Sequence, residues 1–167
     1  MVKILSRYPL APAEVTHYDP TQKTGFKGGI AMSAPAPSHA ARTPGAKRAG
    51  PGEYVFDLAT VNHIKGGPDY SSVVGGVVEG DRMIVALMRM PAGTGAEPHS
   101  HPNEQWIYIL EGTFKAKIGD DEVEAKPGSV VYVPSNVVHS AKATADADVV
   151  FFTVKDASHS LHGTKAV

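Results

Sequence analysis

The chain of 167 residues contains no cysteine. Disulfides, thiol nucleophiles, zinc knuckles and iron–sulfur clusters are therefore excluded. Long apolar runs are missing too, since none approaches the ~20 residues needed to span a bilayer. The opening MVKILSRYPLAPAE loses its apolar character at Pro9 and Pro12, so no secretory signal is expected and the cytoplasm is the expected address. Nor is there an excess of charge, with 16 Lys and Arg against 17 Asp and Glu. That balance removes the electrostatic reason to expect nucleic acid or an anionic membrane as partner. What is present is an ordinary globular composition, 42% hydrophobic and 20% charged, enough for one domain with an appendage.

The charge is unevenly spread. Residues 1–52 hold seven bases and two acids, whereas residues 53–167 hold nine bases and fifteen acids. The first segment also carries seven of the 13 prolines and shows neither a helical nor a strand period, which reads as an irregular, basic N-terminal arm. It either lies on the acidic body or forms a long loop packed by Tyr8, Tyr18, Phe26 and Ile30. After Gly52 come short runs rich in Val, Ile, Tyr and Phe: 54–58, 71–80, 82–90, 105–112, 113–119, 121–126, 129–134, 137–144 and 148–154. They recur every ~8–12 residues with Gly, Pro and Asp between them and no helical stretch, the pattern of an all-β sandwich or barrel. IGDDE at 118–122 reads as a hairpin turn. The expected organisation is an arm (1–52), a barrel (53–156) and a polar C-terminal tail (157–167).

Eight histidines are many for this length. His99 and His101 are two apart, so on a strand both project from one face, where two imidazoles can hold one metal ion. Gln105 follows at even spacing, and His139 comes after the run SVVYVP and the turn at Ser135-Asn136; a closed barrel can bring it opposite the first pair. Glu104, at odd spacing, points away unless a bulge re-aims it. His17, His39 and His63 lack partners at ligand spacing. His159 and His162 lie in the tail, which reads as exposed.

These residues sit in a wider pattern: Gly93, five residues, His99-Ser100-His101, three residues, Gln105, six residues, Gly112; then, after 15 residues, Gly128, five residues, Pro134-Ser135-Asn136, two residues, His139. The pattern resembles the two motifs of the cupin superfamily, which implies a double-stranded β-helix, or jelly-roll, barrel. The resemblance implies that His99, His101 and His139 are imidazole ligands of one divalent metal ion per barrel, with Gln105 at the fourth position in place of the usual Glu. Asn136 replaces a motif Gly, which is benign because Asn tolerates positive φ, and Ala143 replaces a motif Asn. Fe, Mn, Ni, Zn and Cu all suit imidazole.

Three imidazoles and an amide leave the full charge of a divalent ion uncompensated, which favours anionic oxygen ligands. The expected function is metal-dependent chemistry on a small, oxygen-rich anionic substrate. It is either Lewis-acid (lyase, isomerase or hydration) chemistry or, with iron, oxygenation. The alternative is a non-catalytic barrel that stores or senses a ligand or a metal. Glu97, Tyr132 and Arg89 are the candidate catalytic residues. Glu97 shares the parity of His99, Tyr132 is either a pocket hydroxyl or core packing, and Arg89 either meets an anionic substrate or pairs with a carboxylate at a strand end. Ile107 and Ile109 share the parity of Gln105 and should face the pocket. Trp106, Tyr108 and Leu110 should then form an outer apolar strip that needs cover, by a second layer or by a homodimer partner.

Overall fold

A computed structural model describes residues 41–167; the readings placed on Tyr8, His17, Tyr18, Phe26, Ile30 and His39 lie outside them. The described residues form no helix and twelve strands: β1 (Lys47–Arg48), β2 (Ile64–Lys65), β3 (Val74–Glu79), β4 (Met83–Met90), β5 (Gly95–Ser100), β6 (Gln105–Glu111), β7 (Phe114–Ile118), β8 (Asp121–Ala125), β9 (Val130–Val133), β10 (His139–Ala143), β11 (Val149–Asp156) and β12 (Thr164–Lys165). One sheet runs β1-β3-β4-β11-β6-β9, with β2 also on β3, and the other runs β12-β5-β10-β7-β8. The antiparallel pairs nest, β4 with β11, β5 with β10, β6 with β9 and β7 with β8, and they alternate between the sheets. This is the double-stranded β-helix, a jelly roll.

Period-two sequence drives it. Along β11, Val149, Phe151, Thr153 and Lys155 point inward and are buried, and the residues between them are half-buried. β4 does the same with Ile84, Ala86, Met88 and Met90. These bulky side chains face a second sheet that offers Phe114, Ala125 and Ala143, with Ala116 and Ala141 partly buried beside them. A small residue opposite a large one closes a core. Several alanines in one region of the second sheet leave a hollow, and that is where the functional site lies.

The β7–β8 hairpin turns through Gly119-Asp120, with Ile118 opposite Asp121 and Gly119 at φ 60°. Asn136 has φ 62° and is the one non-glycine at positive φ among the described residues. It fills the glycine position of the motif because its short amide side chain makes that backbone tolerable. Gly112 cannot be replaced so easily: a Cβ there would lie 2.2 Å from the Asp148 carbonyl oxygen, and its φ is +77°.

The run 54–58 forms no strand. Tyr54 and Val55 are 81% and 90% exposed, so nothing rewards extension there, and the Asp57 side chain instead turns the chain by accepting hydrogen bonds from Ala59 N (2.9 Å) and Thr60 Oγ1 (3.0 Å). Part of the predicted arm is built into the sheet. β1 pairs in parallel with β3, and the fully buried Glu79 carboxylate accepts from Arg42 N (2.7 Å) and Thr43 N (2.8 Å). The tail is likewise held. β12 pairs with β5, Leu161 joins the core, and Leu161 N donates to Thr43 Oγ1 (2.8 Å). The C-terminal segment and residues 41–43 therefore meet and close one end of the barrel.

Sheet edges differ in protection. The outer edge of β3 is covered by β2, by β1 and by the Asn62 amide, which donates to Val77 O (2.9 Å) and accepts from Val77 N (2.9 Å) as another strand would. β8 carries Asp121, Glu122 and Glu124, and β12 is two residues long. β9 reads VVYV and pairs, among the described residues, with β6 alone.

Candidate metal centre

His99 is the penultimate residue of β5, His139 begins β10, and the two are directly opposed in the ladder. His101 follows on the loop after β5. That loop is tied to the β9–β10 turn by Asn136 N donating to His101 O (2.8 Å) and by Ser135 Oγ donating to Pro102 O. The three imidazoles are buried, and their ligand atoms lie within 4.8 Å of one another. The ring centroids of His139 are 4.2 Å from those of His99 and 4.8 Å from those of His101. Tyr70 stacks on the other side of His99 at 4.4 Å.

The second nitrogens fix the tautomers. Nδ1 of His99 donates to Glu97 O (2.8 Å), Nδ1 of His101 to Asn103 O (2.8 Å) and Nδ1 of His139 to Val137 O (2.9 Å). A carbonyl oxygen only accepts, so each proton is on Nδ1, and in a neutral ring Nε2 carries a lone pair. The rings are neutral. Burial is the largest cause of a lowered pKa in all three; with the charge of His139 it takes His99 to about 4, and with Lys155 it takes His101 to about 3.

Gln105 brings the site to a point. Thr153 Oγ1 donates its one proton to Trp106 O (2.8 Å), so it can only accept from Gln105 Nε2 (2.9 Å). The amide is thereby oriented, and its Oε1 faces His101 Nε2 at 3.0 Å. Two lone-pair acceptors in hydrogen-bond contact repel unless something positive serves both. A proton on Nε2 would serve, but burial excludes it near neutral pH. A metal cation serves both and takes the lone pairs of His99 and His139 as well, so the donor set fits a divalent ion.

Glu97, Tyr132 and Arg89, the candidate catalytic residues, are not among the residues that line the cavity. Between the ladder partners Ala96–Ala141 and His99–His139, β5 has two residues where β10 has one. This β-bulge at Glu97-Pro98 breaks the alternation counted back from His99. Glu97 therefore points outward and pairs with Lys165. Tyr132 is on the outer face of β9, where its hydroxyl donates to Glu104 Oε1 (2.8 Å) and its ring packs on Trp106 at 4.6 Å. Arg89 is outside as well, in an ion pair with Asp148 (2.5 Å). Glu104 points away from the histidines. His63 and His159 are exposed, and His162 Nε2 donates to Lys65 O (2.9 Å).

The cavity beside the histidines has a volume of about 70 Å³ and is walled by Met88, Ile107, Phe151 and Leu161 among others; among the described residues no Asp or Glu lines it. Ile107 faces it as its parity requires, and Ile109 is buried in the core. The ionisable side chains that line it besides histidine are Tyr70 and Lys155, neither of them singled out from sequence. Lys155 was nonetheless readable, because it continues the inward parity of Val149, Phe151 and Thr153.

Residues 86–155 match the family model described as a cupin domain. Among solved structures, a cupin-2 domain from Rhodospirillum rubrum superposes with a TM-score of 0.57 at 17% identity, covering 68% of this chain and 79% of that one. A cupin-like protein from Thermotoga maritima gives 0.50 at 25% identity, covering 60% and 79%. A predicted oxalate decarboxylase from the same organism gives 0.50 at 22% identity, covering 57% and 90%. No curated protein matches the sequence. The motif spacing, the nested strand pairs and the family match converge on one assignment: residues 86–155, which hold the histidine cluster, match the cupin domain, and the fold around them is that of the cupin superfamily.

Proposed function

We propose that the protein is a metal-dependent cupin enzyme that acts on a small, oxygen-rich anion. His99, His101, His139 and Gln105 would hold one divalent ion. The ion would supply Lewis-acid polarisation of a substrate oxygen, or oxygenation if it is iron. The observation that carries the reading is the pair of facing lone pairs on His101 Nε2 and Gln105 Oε1, 3.0 Å apart in a cavity that no carboxylate of the described residues lines. A neutral donor set leaves the charge of the ion to the substrate. Burial raises the pKa of Tyr70, which keeps its hydroxyl protonated. Its oxygen accepts from Gly163 N (2.7 Å), so the hydroxyl proton is left to meet a ligand. A non-catalytic binding barrel is the second reading, favoured by the outward placement of Glu97, Tyr132 and Arg89; turnover of a substrate by the metal-loaded protein separates the two.

Gln105→Glu tests the charge argument. Adding one negative charge to the donor set should strengthen metal binding and weaken that of malonate, a small dianion, by about tenfold or more. Calorimetry on metal-loaded protein reads both. Tighter malonate binding in the variant contradicts the reading. So does elemental analysis that finds no divalent ion in protein purified without a metal column, even after incubation with each candidate.

We also propose that the chain pairs with a second copy through the outer face of the seven-stranded sheet. Two rows of apolar side chains cross four strands there, Val85–Val154–Trp106–Tyr132 and Leu87–Phe152–Tyr108–Val130. Trp106, Tyr108, Leu110, Val130 and Tyr132 are 39–57% exposed. A monomer seldom leaves so continuous a patch to water, and a self-complementary face closes as a dimer. Tyr108→Glu at its centre should convert a dimer to a monomer in sedimentation with little change in thermal stability; an unchanged sedimentation coefficient removes this face from the assembly.

A further inference from the structure

The cavity holds one cationic side chain that the metal site does not explain. Lys155 lies opposite Gln105 in the β11–β6 ladder and is 2% exposed. Strand parity delivers it inward behind Val149, Phe151 and Thr153. Burying an amine among apolar groups is costly unless it is paired, yet among the described residues no acidic side chain lines the cavity. The neighbouring Asp156 is turned to backbone amides and accepts from Glu104 N (2.7 Å) and Ser158 N (2.8 Å). The acceptor for Lys155 Nζ among the described residues is the Leu161 carbonyl at 2.7 Å. An ammonium has three N–H donors, so the carbonyl leaves two unused. Lys155 is also close enough to the cluster to disfavour charge on all three imidazoles. A site meant for a metal ion alone gains nothing from a second cation beside it. A site meant for a metal ion and an anion together does.

We propose that Lys155 is a substrate-binding residue that takes one oxygen of a small carboxylate through its free N–H donors while the histidine–glutamine cluster takes the other end. The inference rests on the function proposed above and narrows its substrate to a class: a compact acid with a second oxygen function a few bonds from the carboxylate. A positive charge on the substrate would find no acid among the described residues that line the cavity. A cavity of about 70 Å³ favours a compact ligand. Apart from the Tyr70 hydroxyl the walls are mainly apolar, so the distance between the two oxygen functions dominates the selection.

The test is titration of metal-loaded protein with malonate and, separately, with neutral malonamide. Lys155→Met, which keeps the length of the side chain, should bind malonate about 10- to 100-fold more weakly, the effect of one buried charge-assisted hydrogen bond. Malonamide binding and metal content should not change. Equal malonate affinity in wild type and variant overturns the proposal and leaves the metal reading standing. Failure of the metal-loaded wild type to bind malonate overturns both. Because Lys155 also holds the Leu161 carbonyl, a second variant separates binding from folding. Lys155→Cys, alkylated in the unfolded state with 2-bromoethylamine and refolded, rebuilds a lysine-like amine at one position, since the chain has no other cysteine. It should recover malonate affinity, and the same protein capped with a methylthio group should not; identical behaviour of the two overturns the proposal.

Discussion

Metal-free protein is expected to lose of the order of 5 kcal/mol of stability between pH 6.5 and pH 4, the combined effect of two buried histidines. The ordinary histidine value is 6.5, and burial takes His99 to about 4 and His101 to about 3. Well above pH 6.5 the rings are neutral in folded and unfolded chains alike and contribute no pH dependence. As the pH falls below 6.5 the unfolded chain takes up protons that the folded protein refuses. Unfolding is then coupled to the uptake of about two protons, until the folded rings titrate in turn. His139, lowered for the same reason, adds to the slope. Lys155, lowered to about 7 by burial, is charged in both states over this window and contributes no slope there. Urea midpoints of chelator-treated protein at half-unit pH steps measure the effect. A flat profile from pH 7 to 4.5 would mean that the imidazoles are not buried as a neutral cluster.

The second large effect is His139→Ala, which should weaken divalent-metal binding by at least about 100-fold, beyond what loss of an outer hydrogen-bond partner does. His139 sits where β10 meets both β5 and β7, opposite His99 on one side and Ile118 on the other, so no neighbouring side chain can swing in to replace it. Competition against a chromophoric chelator gives the affinity, and unaltered stoichiometry and affinity would place the site elsewhere. The same variant should make acid unfolding less steep by up to one proton, which ties the two measurements to one cluster.

The barrel and the cluster were legible from sequence because both rest on local period and fixed spacing. The runs at 82–90, 105–112 and 148–154 became β4, β6 and β11, and His99, His101 and His139 came together as the motif spacing implies. Proton-transfer candidates were less legible, for a definite reason. Parity holds only while a strand keeps register, and the bulge at Glu97-Pro98 shifts it, sending Glu97 outward. Pro98 is a mark of such a bulge, since it has no N–H to give the ladder. Lys155 was hidden by the opposite habit: a lysine at a strand end reads as solvated, although its alternation with Thr153 and Phe151 put it inside. The strand β5 itself, GAEPHS, has little β-propensity and owes its place to its partner β10 and to Tyr70, whose carbonyl accepts from Glu97 N (2.8 Å).

The unequal sheet edges bear on how far self-association can run. Side-by-side growth into a fibre needs two open rims on one molecule, one to receive a neighbour and one to offer the next. Here the Asn62 amide and its flanking strands shut the rim at β3, acidic residues repel at β8, and β12 is too short to template anything. Among the described residues, the Val130–Val133 rim alone invites addition. A second molecule that docks there spends the one rim those residues leave open, so edge-wise association through them ends at a pair.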